Sequence, residues 1–427
     1  MQAEATVSQT DETYQACPSC GRRIPAHANY RSWCECGWNL EPSDQDAPQG
    51  RIEATYLKLG QRIGKKLLQD MIQDSDAQGK LFRGRLLTNL FSGLVHAVTA
   101  ALLIGCCYLI VKGMQGYYFF YLLAAVVALA VWFSMPRIPK LSYDGILLSR
   151  QEYAALYALV DEICEEMRLP RIDGLILDHR FNASYAQAGW RMKRYVTLGL
   201  PLFGILDREE RIALIGHEIA HGVNRDARRS FFTLSAYRTL IRWHDLLNPQ
   251  DSLILERNWA VFLSKNVLKL LSYIPLYMAV GFIHLYYYES QRAEYLADAL
   301  SAEMSGTEAM MRLNDKLYGE QTFSMALQRY VLNGQQGSFF EAYKAIALAM
   351  PERERERIRR VELLEGSRLD YTHPPGAYRI QFLQRHYRSS AKVALTDERS
   401  DRIEAELKKA EPRIEARMIQ DFQASLY

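Results

Sequence analysis

The sequence predicts a mainly α-helical protein with a small β-sheet, built from several units. Three observations indicate this fold class: two histidines one helical turn apart, two long uncharged stretches (residues 90–111 and 117–133), and a cluster of four cysteines near the N-terminus. With 427 residues, the chain is long enough for more than one domain. Its net charge of +3 favours neither a nucleic-acid nor an acidic partner.

The N-terminal cysteines are spaced as in a small zinc ribbon. Two residues separate Cys17 from Cys20, one separates Cys34 from Cys36, and thirteen lie between the pairs. Four thiolates around one Zn²⁺ give a closed structural site, which a segment of about 25 residues needs because it cannot bury a core. Two disulfides are the alternative. The sequence therefore predicts a polar tail over residues 1–14 and a zinc ribbon over residues 15–40.

A transmembrane hairpin of two helices is predicted for residues 87–135, after a linker and a basic amphipathic helix over residues 41–86. Each uncharged stretch can span a bilayer, and only five residues separate the two. Basic residues flank the pair on both sides, which places both flanks in the cytoplasm by the positive-inside rule: Lys80, Arg83, Arg85, Arg137, Lys140 and Arg150. Two long core helices of a soluble protein are the alternative.

His217, Glu218 and His221 predict a catalytic metal site. Residues i and i+4 of a helix share a face, so both imidazoles can bind one divalent ion beside a carboxylate that acts as base. Asp207 and Glu210 match a capping box that would begin this helix, and its other positions are mostly apolar. A hydrogen-bonded pair of core histidines is the alternative. The pattern is typical of zinc-dependent hydrolysis of peptide bonds.

Zinc needs a third protein ligand, either a histidine soon after this helix or a glutamate from a later one. The positions that the first option requires hold Asn224 and Ala227, which excludes it. Glu294 and Asp298 lie four residues apart on a later predicted helix. We therefore expect Glu294 to bind zinc and Asp298 to accept a hydrogen bond from a ligating imidazole. An exposed acidic helix face is the alternative.

A third apolar stretch, residues 267–288, lies between the two histidines and Glu294. A single crossing there would place the third ligand across the bilayer from the other two. Two spans and a turn need about 40 residues, whereas residues 253–288 are fewer and contain Arg257, Lys265 and Lys269. We therefore expect zero crossings, with this helix packed in the catalytic domain or dipping into the membrane face.

These motifs together resemble the M48 metallopeptidases, which include HtpX-type heat-shock proteases, CaaX prenyl proteases and mitochondrial inner-membrane quality-control peptidases. The similarity covers residues 175–383 and consists of four motifs: His217-Glu-x-x-His221, Asn224-Arg-Asp226, Glu294-x-x-x-Asp298 and Thr372-His373-Pro374-Pro375. It implies a gluzincin-type peptidase domain, assigned to residues 136–390, with a C-terminal helical tail at residues 391–427.

The resemblance also implies roles for residues outside the zinc helix. His373 is expected to help stabilise the oxyanion, with Arg379 nearby in the catalytic set. A strand at the cleft edge is expected to pair with the substrate backbone, through Asn182, Ala183, Ser184, Tyr185 and Ala186.

The sequence thus predicts a membrane-anchored zinc endopeptidase that hydrolyses membrane or damaged proteins, with one catalytic and one structural Zn²⁺. Its N-terminus and catalytic domain would be cytoplasmic, and its partners would be protein or peptide substrates and the lipid bilayer, without nucleic acid. The oligomeric state does not follow from the sequence. One alternative is a non-catalytic membrane adaptor that binds peptides. A CaaX-type protease ranks lower, because its multi-span chamber is hard to build from one hairpin.

Overall fold

The structure is a computed structural model, and it describes residues 13–27, 30–41, 50–73, 77–223, 226–248, 259–334, 337–368, 371–386 and 390–425. Asn224 and the side chain of Ala227 lie outside the described part. The chain is mainly helical with two small sheets, as the sequence predicts.

The strands are β1 (Thr13–Ala16), β2 (Arg23–Ala26), β3 (Ile146–Leu147), β4 (Gly174–Asp178), β5 (Ala183–Ala188) and β6 (Lys193–Gly199). The first helices are α1 (Arg51–Gln73), α2 (Ala77–Met114), α3 (Phe119–Ser134), α4 (Ala154–Glu166), α5 (Leu200–Phe203), α6 (Arg208–Val223), α7 (Asp226–Leu247) and α8 (Trp259–Ser305). They are followed by α9 (Thr307–Lys316), α10 (Glu320–Leu332), α11 (Phe339–Leu348), α12 (Glu352–Glu365), α13 (Gly376–Arg385), α14 (Asp397–Lys408) and α15 (Glu411–Ala424).

The larger sheet has the strand order β3-β4-β6-β5. β4 runs parallel to β6, while β5 pairs antiparallel with β6, from Ala183 opposite Leu198 to Ala188 opposite Lys193. β5 is therefore an edge strand, with no further strand beside it among the described residues. Gly199 permits the tight start of this pairing, because a Cβ there would lie 1.9 Å from the carbonyl oxygen of Arg180.

Helix α6 runs through the main core, and its apolar side chains are buried. The predicted capping box begins it: the backbone N–H of Asp207 donates to Glu210, and that of Glu210 donates to Asp207 Oδ1 at 2.8 Å. Ser301 of α8 donates to the Ala213 carbonyl oxygen at 2.6 Å, and a Cβ at Gly216 would lie 3.2 Å from its hydroxyl. Small residues thus let α6 and α8 approach closely.

Among the described residues, two helices are long and apolar enough to cross a membrane: residues Leu86–Met114 of α2, and Leu263–Ser305, which forms most of α8. α3 is a shorter apolar helix that folds back on α2, as the predicted hairpin requires, with Cys106 Sγ 3.5 Å from the Ala124 carbonyl oxygen. Its 16 residues span about 24 Å.

The expectation of zero crossings between the histidines and Glu294 concerns helix α8. Residues 267–288 belong to α8, whose first half has large apolar side chains facing outward: Leu263, Val267, Leu270, Ile274 and Tyr277. α7 packs antiparallel to this half, since Ala236 and Ala279 share a small core and His244 Nδ1 lies 2.9 Å from the Ser272 carbonyl oxygen. The length estimate from residues 253–288 did not include α7, which contains arginines and packs along this half of α8.

Terminal helices complete the main core. Leu67, Leu68 and Met71 of α1 are buried in it, so this helix packs on the protein rather than acting as a solvated linker. The contact is close: a Cβ at Gly64 would lie 2.1 Å from Ser367 Cβ. The predicted C-terminal tail also contributes to the core, through Ile403, Leu407, Ile414 and Met418 of α14 and α15.

The ribbon docks on α12, a helix rich in Glu and Arg. Trp33 is buried, with the guanidinium carbons of Arg353 and Arg360 at 4.3 and 4.7 Å from its ring centre. Trp33 Nε1 donates to the Arg353 carbonyl oxygen at 3.0 Å, and Arg353 Nη2 donates back to the Trp33 carbonyl oxygen at 2.7 Å. Cation–π contacts and paired hydrogen bonds thus fix the ribbon to α12.

Candidate active site

The structure brings His217, His221 and Glu294 together where α6 crosses α8. The two Nε2 atoms are 3.3 Å apart, and Glu294 carboxylate oxygens lie 3.3 Å from His217 Nε2 and 3.5 Å from His221 Nε2. The ligand atoms of the three side chains all lie within 4.8 Å of one another. Glu294 Oε2 is buried and has no hydrogen-bond partner among the described residues. Burial alone would raise the pKa of Glu294, but His373 and His217 hold that pKa well below its usual range.

Behind this cluster, Asp298 joins His217 to Arg379. Asp298 Oδ1 lies 3.0 Å from His217 Nδ1, while Arg379 donates to both Asp298 oxygens, with its Nε at 2.7 Å. All three groups are buried. Burial opposes the ionisation of Asp298, but Arg379 overcomes it and lowers the pKa of this carboxyl. Arg379 therefore lies behind the ligands, against Asp298, rather than on the open side of the site.

His373 occupies the open side. Its side chain is 65% exposed, and its Nδ1 lies 3.0 Å from Glu294 Oε1. Gln291, one turn before Glu294 on α8, holds the loop that leads to His373: its Nε2 donates to the carbonyl oxygens of Arg368 and Tyr371, both at 2.8 Å. Gln291 lies between Glu289 and Glu294 in the sequence, but its role was not predicted because its partners lie about 80 residues away.

Glu218 and the edge strand border the same site. The Glu218 side chain is 7% exposed and has no ion-pair or hydrogen-bond partner within the described ranges. Of the predicted edge residues, Ala183, Ser184, Tyr185 and Ala186 form β5, and Asn182 precedes it. Tyr185 leans over the end of α6, since a Cβ at Gly222, next to His221, would lie 3.0 Å from its hydroxyl. An extended chain on β5 would thus run past the histidines.

Both clusters have the spacing of zinc sites. Metal–ligand bonds of about 2.1 Å in a tetrahedron place nitrogen and oxygen ligands about 3.4 Å apart, and the three observed separations are 3.3, 3.3 and 3.5 Å. For zinc–sulfur bonds of about 2.3 Å, the same geometry places the sulfur atoms about 3.8 Å apart. The Sγ atoms of Cys17 and Cys36 are 3.7 Å apart and those of Cys20 and Cys34 are 3.6 Å apart. None of these four cysteines forms a disulfide.

Comparison with known families agrees with this geometry. The model of "Peptidase family M48" matches residues 150–387, more than half of the chain. The chain belongs to peptidase family M48. The match includes every residue of the three-ligand cluster, together with Asp298, His373 and Arg379.

Curated M48 relatives are named "Protease HtpX homolog". The chain is 28% identical to that of Methanothermobacter thermautotrophicus over 225 residues, which is 52% of this chain and 78% of the relative. The homologue of Pyrobaculum calidifontis is 26% identical over 240 residues, 53% of this chain and 67% of the relative. These matches and the apolar helices identify a membrane protease of the metallopeptidase class.

A pair of half-buried polar groups lies behind the His373 loop in this M48 domain. Glu362 of α12 accepts hydrogen bonds from the Tyr318 hydroxyl and from the backbone N–H of Ala377 at 3.0 Å, so it caps the first turn of α13. A Cβ at Gly376 would lie 2.2 Å from the Tyr318 hydroxyl. The pair fixes the start of the helix that carries Arg379, and neither residue carries a recognisable sequence signal.

Glu362 gives the fold a pH dependence. Burial raises its pKa from 4.5 to about 7, so the folded state binds more protons than the unfolded chain between these values. Its contribution to stability is full below pH 4.5 and declines as the pH rises towards 7. We expect the wild type to lose on the order of 2 kcal/mol across this window, and Glu362→Gln to lose much less. Thermal unfolding in detergent measures this, and equal slopes for the two proteins would contradict it.

Proposed function

We propose that this chain is a membrane-anchored zinc endopeptidase with a cytoplasmic catalytic domain, and that it cleaves polypeptides next to the bilayer. The observation that carries the proposal is the cluster of His217, His221 and Glu294, whose ligand atoms have the separations that zinc requires. Membership of M48 agrees with a peptidase activity.

In this proposal each residue around the cluster has a separate role in catalysis. Bound zinc would supply a Lewis acid that lowers the pKa of a water molecule and polarises the scissile carbonyl. Glu218, whose carboxylate has no partner among the described residues, takes the proton of the attacking water and delivers it to the leaving amine. His373 donates a hydrogen bond to the oxyanion from the exposed side. The free edge of β5 holds the substrate backbone in an extended form.

Asp298 and Arg379 are positioning residues in this mechanism. Asp298 accepts the His217 Nδ1–H and thereby directs Nε2 towards the zinc site. Arg379 neutralises Asp298 in the buried interior, where an unpaired carboxylate would be costly.

We further propose that α7 and α8 form a second membrane hairpin beside α2 and α3. A return path through α7 gives an even number of crossings, which keeps Glu294 on the same side as the histidines. Phe91 of α2 stacks on Phe282 of α8 at 5.2 Å between ring centres, so the outward apolar faces of both helices belong to one bundle. The basic flanks of α2 and α3 support a cytoplasmic position for the peptidase domain.

Zinc removal tests the proposal. The full chain, purified in detergent, should bind two zinc ions and hydrolyse a casein-type substrate, because both clusters fit the ion. 1,10-Phenanthroline should abolish cleavage, and added zinc should restore it. The Cys20→Ser variant should bind one ion fewer. Zinc content is measured by atomic emission and cleavage by the release of labelled fragments.

Two outcomes would overturn this reading. Cleavage that continues after the catalytic zinc has been removed would exclude the metal mechanism. Full zinc occupancy without hydrolysis of casein would instead favour the non-catalytic adaptor that binds peptides along β5.

A further inference from the structure

The turn between β5 and β6 presents an aromatic side chain at the membrane end of the peptidase domain. Trp190 in this turn is 89% exposed. The backbone N–H of the preceding Gly189 donates to the Pro139 carbonyl oxygen at 2.9 Å. Pro139 lies five residues beyond Ser134, the last residue of α3. The turn is therefore fixed beside the point at which the membrane hairpin enters the peptidase domain.

Cations surround this point, on two separate segments. Arg191 and Lys193 lie in the turn and at the start of β6, and Arg137 and Lys140 flank Pro139 in the segment that follows α3. Within the described ranges, none of these four cations forms an ion pair with a carboxylate. Cations without a carboxylate partner favour an anionic partner.

The apolar surface above these cations identifies the anion. Trp132, two residues before the end of α3, is 67% exposed, so the outward face of this helix stays apolar almost to its last residue. Tryptophan prefers the level of lipid headgroups, and lysine and arginine there attract anionic lipids. A soluble phosphate would bind the cations but would give Trp190 no partner.

We propose that Trp190 and these four cations form a headgroup collar, which binds the phosphate groups of anionic phospholipids in the leaflet next to the peptidase domain. This inference rests on the membrane position given under the proposed function. Because the turn directly follows β5, the collar holds the edge strand at the bilayer surface. A polypeptide leaving the bilayer then reaches β5 within a few residues.

Spin-labelled lipids in nanodiscs test the collar on the full chain. Electron paramagnetic resonance compares the association of labelled phosphatidylglycerol with that of labelled phosphatidylcholine. We expect the wild type to prefer phosphatidylglycerol and the double variant Arg191→Glu, Lys193→Glu to lose about five-fold or more of this preference. The matched control reverses Arg402 and Lys408, two exposed cations of α14. This helix packs at the N-terminal end of α6, where Asp397 pairs with Arg208, away from the membrane helices.

A second measurement does not depend on the charge-reversed variant. Brominated phosphatidylcholine should quench the wild-type tryptophan emission more than that of Trp190→Phe, because Trp190 lies among the lipids. An equal lipid preference in the wild type and the double variant, an equal loss in the control, or no difference in quenching would overturn the collar. Casein cleavage by the same nanodiscs reports separately on the peptidase proposal.

Discussion

Glu218→Gln is expected to reduce casein cleavage by about 10²–10⁴-fold while both zinc ions remain bound. Glutamine has nearly the same shape as glutamate but cannot take a proton from water. Glu218 lies outside the three-ligand cluster, so its loss should leave zinc content unchanged. Initial rates of casein cleavage, normalised to zinc content, measure the effect.

Glu209→Gln is the matched control, because Glu209 lies in the first turn of the same helix and its side chain is 50% exposed. This variant should cleave casein at the wild-type rate. If the Glu218 variant cleaves as fast as the wild type, Glu218 is not the base.

Asp298→Asn is expected to weaken zinc binding about 10- to 100-fold and to destabilise the fold by about 3–5 kcal/mol. The substitution removes the carboxylate that accepts two hydrogen bonds from the buried guanidinium of Arg379. It also removes the anionic acceptor that directs His217. Zinc competition with a chromophoric chelator measures the affinity, and thermal unfolding in detergent measures the stability.

The control for this prediction is Glu303→Gln, near the end of the same helix, where the Glu303 carboxylate forms an exposed ion pair with Lys392 at 2.8 Å. It should cost about 1 kcal/mol or less and leave the affinity for zinc unchanged. Wild-type zinc affinity in the Asp298 variant would show that Asp298 does not position the ligand. Arg379→Lys keeps the charge but not the two-pronged contact, and its zinc affinity should fall between the two.

Sequence spacing predicts the parts of this molecule that depend on local geometry. The four-residue intervals His217–His221 and Glu294–Asp298 place side chains on one helix face, and the three-residue interval Asp207–Glu210 begins a helix. M48 membership confirms the resemblance, and the mainly helical fold agrees with the prediction.

Features that depend on distant parts of the chain could not be predicted in this way. Trp33 and Arg353 are 320 residues apart, and neither residue type marks the contact. Glu362 and Tyr318 meet only because α12 packs across the start of α13. The pairing of α7 with α8 is hidden by Arg238 and Arg242, which lower the hydropathy of a helix whose other face packs on its neighbour.

Because α8 is continuous, Glu294 moves together with the part of the helix that follows Pro275. The helix has 47 residues, a length of about 70 Å, and Glu294 lies in its last third without a proline between it and Pro275. Glu294 lies nineteen positions after Pro275, about 28 Å along the axis, so a tilt of about 5° at Pro275 displaces the carboxylate by about 2 Å. Membrane helices adapt to a thinner or thicker bilayer by changing their tilt. In the proposed membrane arrangement, a change in bilayer thickness would therefore change the spacing of the ligands.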